Sequence, residues 1–521
     1  MRYGFRMISA VATVFILCAA QAWAATTSAT TAGAAMSVAP PEFAVTHHSL
    51  RVGGETIRFT ATAGSLILHN GKQQPTASVF FVAFTQDGLR DESSRPVTFL
   101  YNGGPGSASL WIELGAFGPM RVATPDAAQT PPAPYNLVAN DQSLLDKSDL
   151  VFIDAPGTGF SRLVGAGKPA GFYGVDEDAS AFAQFIRLYL DKYQRWNSPK
   201  FLLGESYGTT RSAALSEVLQ QRGISLNGVI LLSSILNFQT ASFNTGNDLP
   251  YELYLPSYAA VAWYHKALPT QPKDFDAFIA EVEQFALGDY AHALAAGSNL
   301  SPDERAAVLK KLNEYTGLSQ AYWDKANLRV NNSQFEKQLL RSQKEVTGRL
   351  DARFTGWSVD LIGEYPNWDP MSAAFMPAFN AAFHAYLQDY LGYTPKYEYK
   401  PMNGKVNQDW KWKHDFGDNG GQAWPGYTNV APDLAMAMTQ DTYLQVMVNS
   451  GYFDLGTPFF ATDYTFDHLF DPVAGTAQLQ SRIHRFYYQS GHMIYLHPDS
   501  LAKFKANVSA FMDQTLAAQH K

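Results

Sequence analysis

Gly204-Glu205-Ser206-Tyr207-Gly208 is a G-x-S-x-G pentapeptide. It stands between an apolar run, Phe201-Leu202-Leu203, and a segment, Thr209 to Gln220, with amphipathic helical spacing. An apolar strand that turns sharply into a helix at a serine is the setting of a nucleophile elbow. The two glycines let the backbone turn tightly, so that the hydroxyl is exposed at the top of a sheet. The pentapeptide alone is a weak signal, because Gly and Ser are common enough for it to arise by chance in 521 residues. Its meaning depends on whether an acid, a histidine and an oxyanion site follow elsewhere.

Working outward, short apolar runs recur at 97–101, 150–153, 201–203, 229–232, 444–448 and 483–488, with the length and composition of central strands buried on both faces. Helical patterns lie between several of them, notably Glu177–Tyr193. Before them, Thr56–Thr60 and Ser78–Val82 alternate in polarity around Asn70-Gly71, as antiparallel strands do. The expected fold class is therefore α/β: a mostly parallel sheet flanked by helices, with an antiparallel N-terminal edge. From about 243 to 426 strand signals are few. Ser301-Pro302-Asp303-Glu304 reads as a capping box opening a helix to about Tyr315, and Ser333–Lys344 as another helix. The expected organisation is a core of residues 43–242 and 427–521, with 243–426 inserted as a mainly helical cap.

The first 24 residues read as a signal peptide. Arg2 and Arg6 precede an apolar run from Met7 to Ala20, and Ala22-Trp23-Ala24 suits cleavage. Residues 25–42, rich in Ala, Thr, Ser and Pro, read as a disordered tether. The expectation is an exported protein, periplasmic or extracellular, with no membrane attachment after cleavage. Cys18 is the sole cysteine and leaves with the leader, which excludes a thiol nucleophile, a thiolate-bound zinc and a disulfide. Without Arg2 and Arg6 the balance is 37 basic to 47 acidic residues, with no basic patch to suggest nucleic acid. No H-E-x-x-H, P-loop or EF-hand pattern occurs, so no metal or cofactor is expected.

The partners of Ser206 must follow it in the order acid, then histidine. Asp454 comes in the loop after the strand run Leu444–Asn449 and is the candidate acid, whereas Asp463 falls inside a helix after Pro458. His492 follows the last strand and Ser490-Gly491 at the same edge, and is the candidate base. His484, within that strand, and His497 read as structural, and His47-His48 has no third metal ligand nearby. Asn102-Gly103-Gly104-Pro105-Gly106 directly follows the run 97–101. Its glycines allow backbone N–H groups to approach a tetrahedral intermediate.

Three segments together, Asn102-Gly103-Gly104-Pro105-Gly106-Ser107-Ala108-Ser109, Gly204-Glu205-Ser206-Tyr207-Gly208 and Ser490-Gly491-His492-Met493, resemble the serine carboxypeptidase family of α/β-hydrolases. Asp154-Ala155-Pro156-Gly157-Thr158-Gly159-Phe160-Ser161 is similar to a further stretch of that family. The resemblance implies a peptide substrate with a free C-terminus and a triad of Ser206, Asp454 and His492. It implies an oxyanion hole from the N–H groups of Gly104 and Tyr207, and recognition of the substrate carboxylate by Asn102 and Glu205. A protonated Glu205 can donate to that carboxylate and an ionised one repels it, so the resemblance also implies peptide hydrolysis at acid pH. Two departures stand out. Ser107 replaces the cysteine usual in eukaryotic members, and Glu113 is the nearest match to a second glutamate of the carboxylate site, in a shorter loop. An esterase or acyltransferase on the same scaffold, and a non-catalytic binding protein, are the alternatives. Retention of Asn102 and Glu205 argues against the first, and an intact triad against the second.

Overall fold

Exposed and buried residues alternate along Ala44–Val52 (β1), the pattern of an edge strand with one face in water. It pairs antiparallel with the long Glu55–His69 (β2), which turns at residues 70–74 into Pro75–Gln86 (β3). The structure is a computed structural model that describes residue 38 and residues 42–414, 426–470 and 476–519. The signal-peptide reading of 1–24, Cys18 and most of the tether lie outside the described residues. Val38–Lys521 clusters as one unit.

Beyond β3 the strands run parallel. Val97–Tyr101 (β4), Asp149–Ile153 (β5), Lys200–Glu205 (β6) and Gly228–Leu232 (β7) are buried at every position, as their mostly apolar interiors favour, with the charged Asp149, Lys200 and Glu205 at strand ends. Gln445–Gly451 (β8) and Ile483–Tyr488 (β9) complete the sheet. The order is β1-β2-β3-β5-β4-β6-β7-β8-β9, with Arg162–Leu163 pairing beside β3. β5 is antiparallel to β3 and parallel to β4, and every later pair is parallel. One expectation needs correction: β9 reads as a central strand, but it is the far edge and mostly half-buried. Its His484 and Arg485 are the reason, since a strand covered on both faces would have to desolvate them.

One face of the sheet is covered by helices Val175–Lys192, Tyr207–Gln221 and Ala431–Gln440. The other is covered by Pro370–Ala385 and Pro498–Gln519. A third apolar cluster gathers helices Leu249–Tyr264, Phe275–Phe285 and Pro302–Thr316 with Phe453 and Leu455 of the loop after β8 and Phe459, which opens the helix Phe459–Asp467. The capping box at Ser301 and Glu304 forms as expected. The helix expected over 333–344 is shorter, Asn332–Gln338, and is followed by a small hairpin of Glu345–Thr347 with Thr355–Trp357. Register aligns the C-terminal ends of the central strands: Tyr101 faces Gly204, Leu232 faces Glu205, and Leu232 also faces Asn449. Everything that follows these strands in sequence therefore gathers at one edge.

Candidate active site

Ser206 occupies the turn between β6 and helix Tyr207–Gln221, with φ +61° and ψ −130°. A non-glycine residue held there costs on the order of 1–3 kcal/mol, a strain found mostly at functional positions. Three contacts hold it: its N–H donates to Leu232 O at 2.9 Å, and the N–H and hydroxyl of Thr209 donate to its carbonyl. Both motif glycines are required by space. A Cβ on Gly204 would lie 2.2 Å from Gly208 O, and one on Gly208 would lie 2.9 Å from Tyr101 O. The helix thus packs directly on the strands it follows.

At the same edge, His492 Nδ1 lies 2.7 Å from Asp454 Oδ2. An ionised carboxylate only accepts, so Nδ1 carries the hydrogen and Nε2 is left with the lone pair, as a general base needs. Asp454 is wholly buried and held by four donations: Gly456 N at 2.7 Å and Thr457 N at 3.0 Å to Oδ1, Thr457 Oγ1 at 2.7 Å and His492 to Oδ2. Burial pushes the imidazole down, but the neighbouring Asp454, its hydrogen bond and the charge of Glu205 outweigh it, so His492 titrates above its ordinary value. Ser233, directly after β7, donates from Oγ to His492 O at 2.6 Å, and β7 also anchors Ser206 through Leu232. The serine turn, the acid loop and the histidine are tied to one strand end. Asp463 lies elsewhere, accepting from Tyr487, and His484 and His497 bond to Gln445 and Ser500.

The glycine loop after β4 touches the elbow. A Cβ on Gly103 would sit 2.4 Å from Tyr207 N, so only glycine fits that approach. Gly104 follows with φ +103°, and Tyr207 begins a helix, where its N–H has no intrahelical acceptor. Asp154 fastens this loop from behind, accepting from Ser109 N at 2.9 Å. Arg211, on the elbow helix, pairs with Asp178 at 2.6 Å and donates to Asn102 O at 2.8 Å.

Asn102 and Glu205 are both buried. The side-chain Oδ1 of Asn102 accepts from Ile112 N at 3.0 Å, which leaves its NH2 group free to donate. Burial raises the Glu205 carboxyl to about 7; the charge of His492 and hydrogen bonds from Tyr495 and Asn102 hold it from rising further. The Tyr495 hydroxyl donates to Glu205 Oε2 at 2.8 Å. Glu113 is brought to a different place. It is buried beside Tyr386 and in the field of Asp154, its Oε1 has no hydrogen-bond partner, and burial raises it to about 8. The groups that act on Glu205 are His492, Tyr495, Asn102 and Asp454. The physical reason is local: Asn102 bonds the first helical turn after the glycine loop, and Glu113 then enters the apolar packing around Phe379 and Tyr386.

Thr457, Arg211, Asp178 and Tyr495 escaped the sequence reading. Tyr495 had the plainest signal, standing three residues after His492. Among the described residues no group of three His, Cys, Asp or Glu is placed to hold a metal ion.

Comparisons with known proteins bear on the family and the fold. Among curated relatives, serine carboxypeptidase-like 45 of Arabidopsis thaliana is 28% identical over 39% of this chain and 42% of its own length. The pheromone-processing carboxypeptidase KEX1 of Saccharomyces cerevisiae is 34% identical over 25% of this chain and 17% of its own. The alignments thus span less than half the length of these relatives. The crystal structure of Kex1(delta)p, a prohormone-processing carboxypeptidase from Saccharomyces cerevisiae, shares the fold with a TM-score of 0.52 over 91% of this chain and 92% of that one, at 17% identity. The family described as serine carboxypeptidase matches residues 54–472, most of the sequence. The chain belongs to the serine carboxypeptidase family and has an α/β-hydrolase fold.

Proposed function

We propose that this protein is an exported serine carboxypeptidase that hydrolyses the last peptide bond of peptides through an acyl-enzyme. Ser206 Oγ attacks the scissile carbonyl while His492 Nε2 takes its proton. Asp454 keeps the imidazole in the required tautomer and stabilises its charged form. The N–H groups of Gly104 and Tyr207 receive the oxyanion, whose charge develops only in the transition state. His492 then protonates the departing amine, and a water molecule, deprotonated by the same nitrogen, releases the acid and restores Ser206.

The observation that carries exopeptidase over esterase chemistry is the buried Glu205, next to the nucleophile and beside Asn102. With its carboxyl raised to about 7, Glu205 holds a proton at acid pH and can donate to a substrate carboxylate. His492 and Glu205 also influence each other, the charge of each favouring the charged form of the other. A bound substrate carboxylate favours the productive arrangement, neutral His492 with protonated Glu205, over its charge-separated counterpart.

The test is hydrolysis of blocked dipeptides with free or amidated C-termini from about pH 4 to about pH 8, with Ser206→Ala as control. Cleavage of the free form, strongest at acid pH and absent in Ser206→Ala, is expected. Equal cleavage of both forms would overturn the exopeptidase reading, and activity in Ser206→Ala would overturn the mechanism.

A further inference from the structure

Within the proposed carboxypeptidase site, one residue has a geometry that the triad and the Asn102–Glu205 pair leave unexplained. Tyr495 lies in the turn Ile494–Leu496 that follows His492, is 4% exposed, and donates its hydroxyl proton to Glu205 Oε2 at 2.8 Å. The same hydroxyl is within the influence of the Asn102 amide. A tyrosine deep in an apolar cluster needs a partner for its hydroxyl, and here that partner is the acid next to the nucleophile. The ring has a seat of its own. A Cβ on Gly115 would sit 2.4 Å from the Tyr495 ring, so the segment Glu113-Leu114-Gly115 makes room for a phenol.

We propose that Tyr495 is a substrate-positioning residue that sets the specificity for a free C-terminus: with Asn102 it orients the Glu205 carboxyl toward the substrate carboxylate, the place for which the family resemblance offers Glu113 as the nearest match to a second glutamate. The inference rests on the carboxypeptidase reading above. A tyrosine in this role differs from an acid in two respects. It never ionises in the working range, because burial and the neighbouring Glu205 push its hydroxyl well above the ordinary value. It also only donates to Glu205, which favours the ionised carboxylate and lowers the pH at which the clamp is lost. The titratable groups facing Glu205 are His492, Asp454 and Tyr495. Removing the Tyr495 hydroxyl therefore acts in two directions: the carboxyl is less well aimed, and it keeps its proton to higher pH.

The test compares wild type with Tyr495→Phe on a blocked dipeptide with a free carboxylate and on a blocked amino-acid ester that lacks one, with kcat and KM measured from about pH 4 to about pH 8. Near pH 5 the variant is expected to lose roughly tenfold in kcat/KM on the dipeptide, chiefly through KM, with the ester changed less than about twofold. Its alkaline limb on the dipeptide should move upward by about half a unit or more while the ester profile stays in place. Gly115→Ala, which displaces the ring and its hydroxyl without removing either, should shift dipeptide and ester kinetics in the same selective way. Equal losses on both substrates would mark Tyr495 as merely structural, and an unchanged dipeptide profile would mark it as idle; either overturns the proposal while wild-type preference for the free carboxylate leaves the carboxypeptidase reading standing. If wild type itself shows no preference for the free carboxylate, the carboxypeptidase reading fails and this inference falls with it.

Discussion

Arg211 Nη1 donates to the carbonyl oxygen of Asn102 at 2.8 Å, while its Nε pairs with Asp178 at 2.6 Å. The guanidinium is 1% exposed and stacks over Phe182 at 4.3 Å. It joins the helix after Ser206 to the glycine loop from beneath, so one buried cation fixes the two segments proposed to face an oxyanion jointly. The energetic logic is asymmetric: a buried pair contributes little net stability, but breaking it strands a charge.

Arg211→Met should therefore be costly. It leaves Asp178 buried without its partner and the Asn102 carbonyl without a donor, a loss of about 3–5 kcal/mol at neutral pH. Asp178 is already raised by burial, with Arg211 opposing the rise. Without that opposition it takes up a proton more readily, so the loss should shrink toward acid pH. Urea midpoints at two pH values, with Asp178→Leu added in the double variant to recover part of the stability, check both statements.

Asp454 is expected to matter through the imidazole tautomer rather than through folding. In Asp454→Asn the amide would oblige His492 Nδ1 to accept, which puts the hydrogen on Nε2 and removes the base. Thr457 Oγ1, 3.1 Å from His492 Nδ1 and 2.7 Å from Asp454 Oδ2, lies beside both and does not supply the missing charge. A fall in kcat on the order of 10³–10⁴ with KM little changed is the expected result. A fall carried mainly by KM would contradict it.

Glu205→Gln separates the proposed carboxylate clamp from the proposed triad. Wild-type Glu205 loses its proton as pH rises through about 7, so hydrolysis of peptides with a free carboxylate should decline there. A glutamine stays neutral and keeps a donor, so that decline should disappear. The charge of Glu205 is also among the influences that raise His492, so the acid limb should move to lower pH in the variant. Profiles of kcat/KM on a free-carboxylate dipeptide give both limbs, and an unmoved alkaline limb would contradict the assignment to Glu205.

The parts of this architecture that read directly from the sequence are those governed by local chemistry. Gly204 and Gly208 mark the turn at Ser206 because no larger residue fits against Gly208 O and Tyr101 O. Asp454 and His492 could be found because each directly follows a strand whose end is level with the others. Arg211 and Asp178, by contrast, are 33 residues apart, and nothing local marks either as buried. Tyr495 and Glu205 are 290 residues apart and meet only because β6 and the turn after β9 reach the same edge. Ile483–Tyr488 was misplaced as a central strand because an apolar run does not reveal which side lacks a neighbour. Glu113 is the nearest match to a second glutamate of the carboxylate site in the sequence, yet its carboxyl is packed beside Tyr386.

That buried Glu113 has a consequence for stability. Burial raises its carboxyl from 4.5 to about 8, with the neighbouring Asp154 adding to the rise. Between those values the folded protein holds a proton that the unfolded chain has released, so stability falls as pH rises across the interval, by up to about 1.4 kcal/mol per pH unit. Asp154, raised to about 6, contributes the same sign only lower in the range, whereas Glu205, raised to about 7, and Glu336, raised to about 8, add to the dependence near neutrality. Glu113→Gln preserves volume and polarity but has no proton to lose. Its urea midpoint should match or exceed that of wild type at about pH 8 and depend less on pH between about 6 and 8. Parallel pH dependences in the two proteins would show that Glu113 is ionised or solvated in the fold.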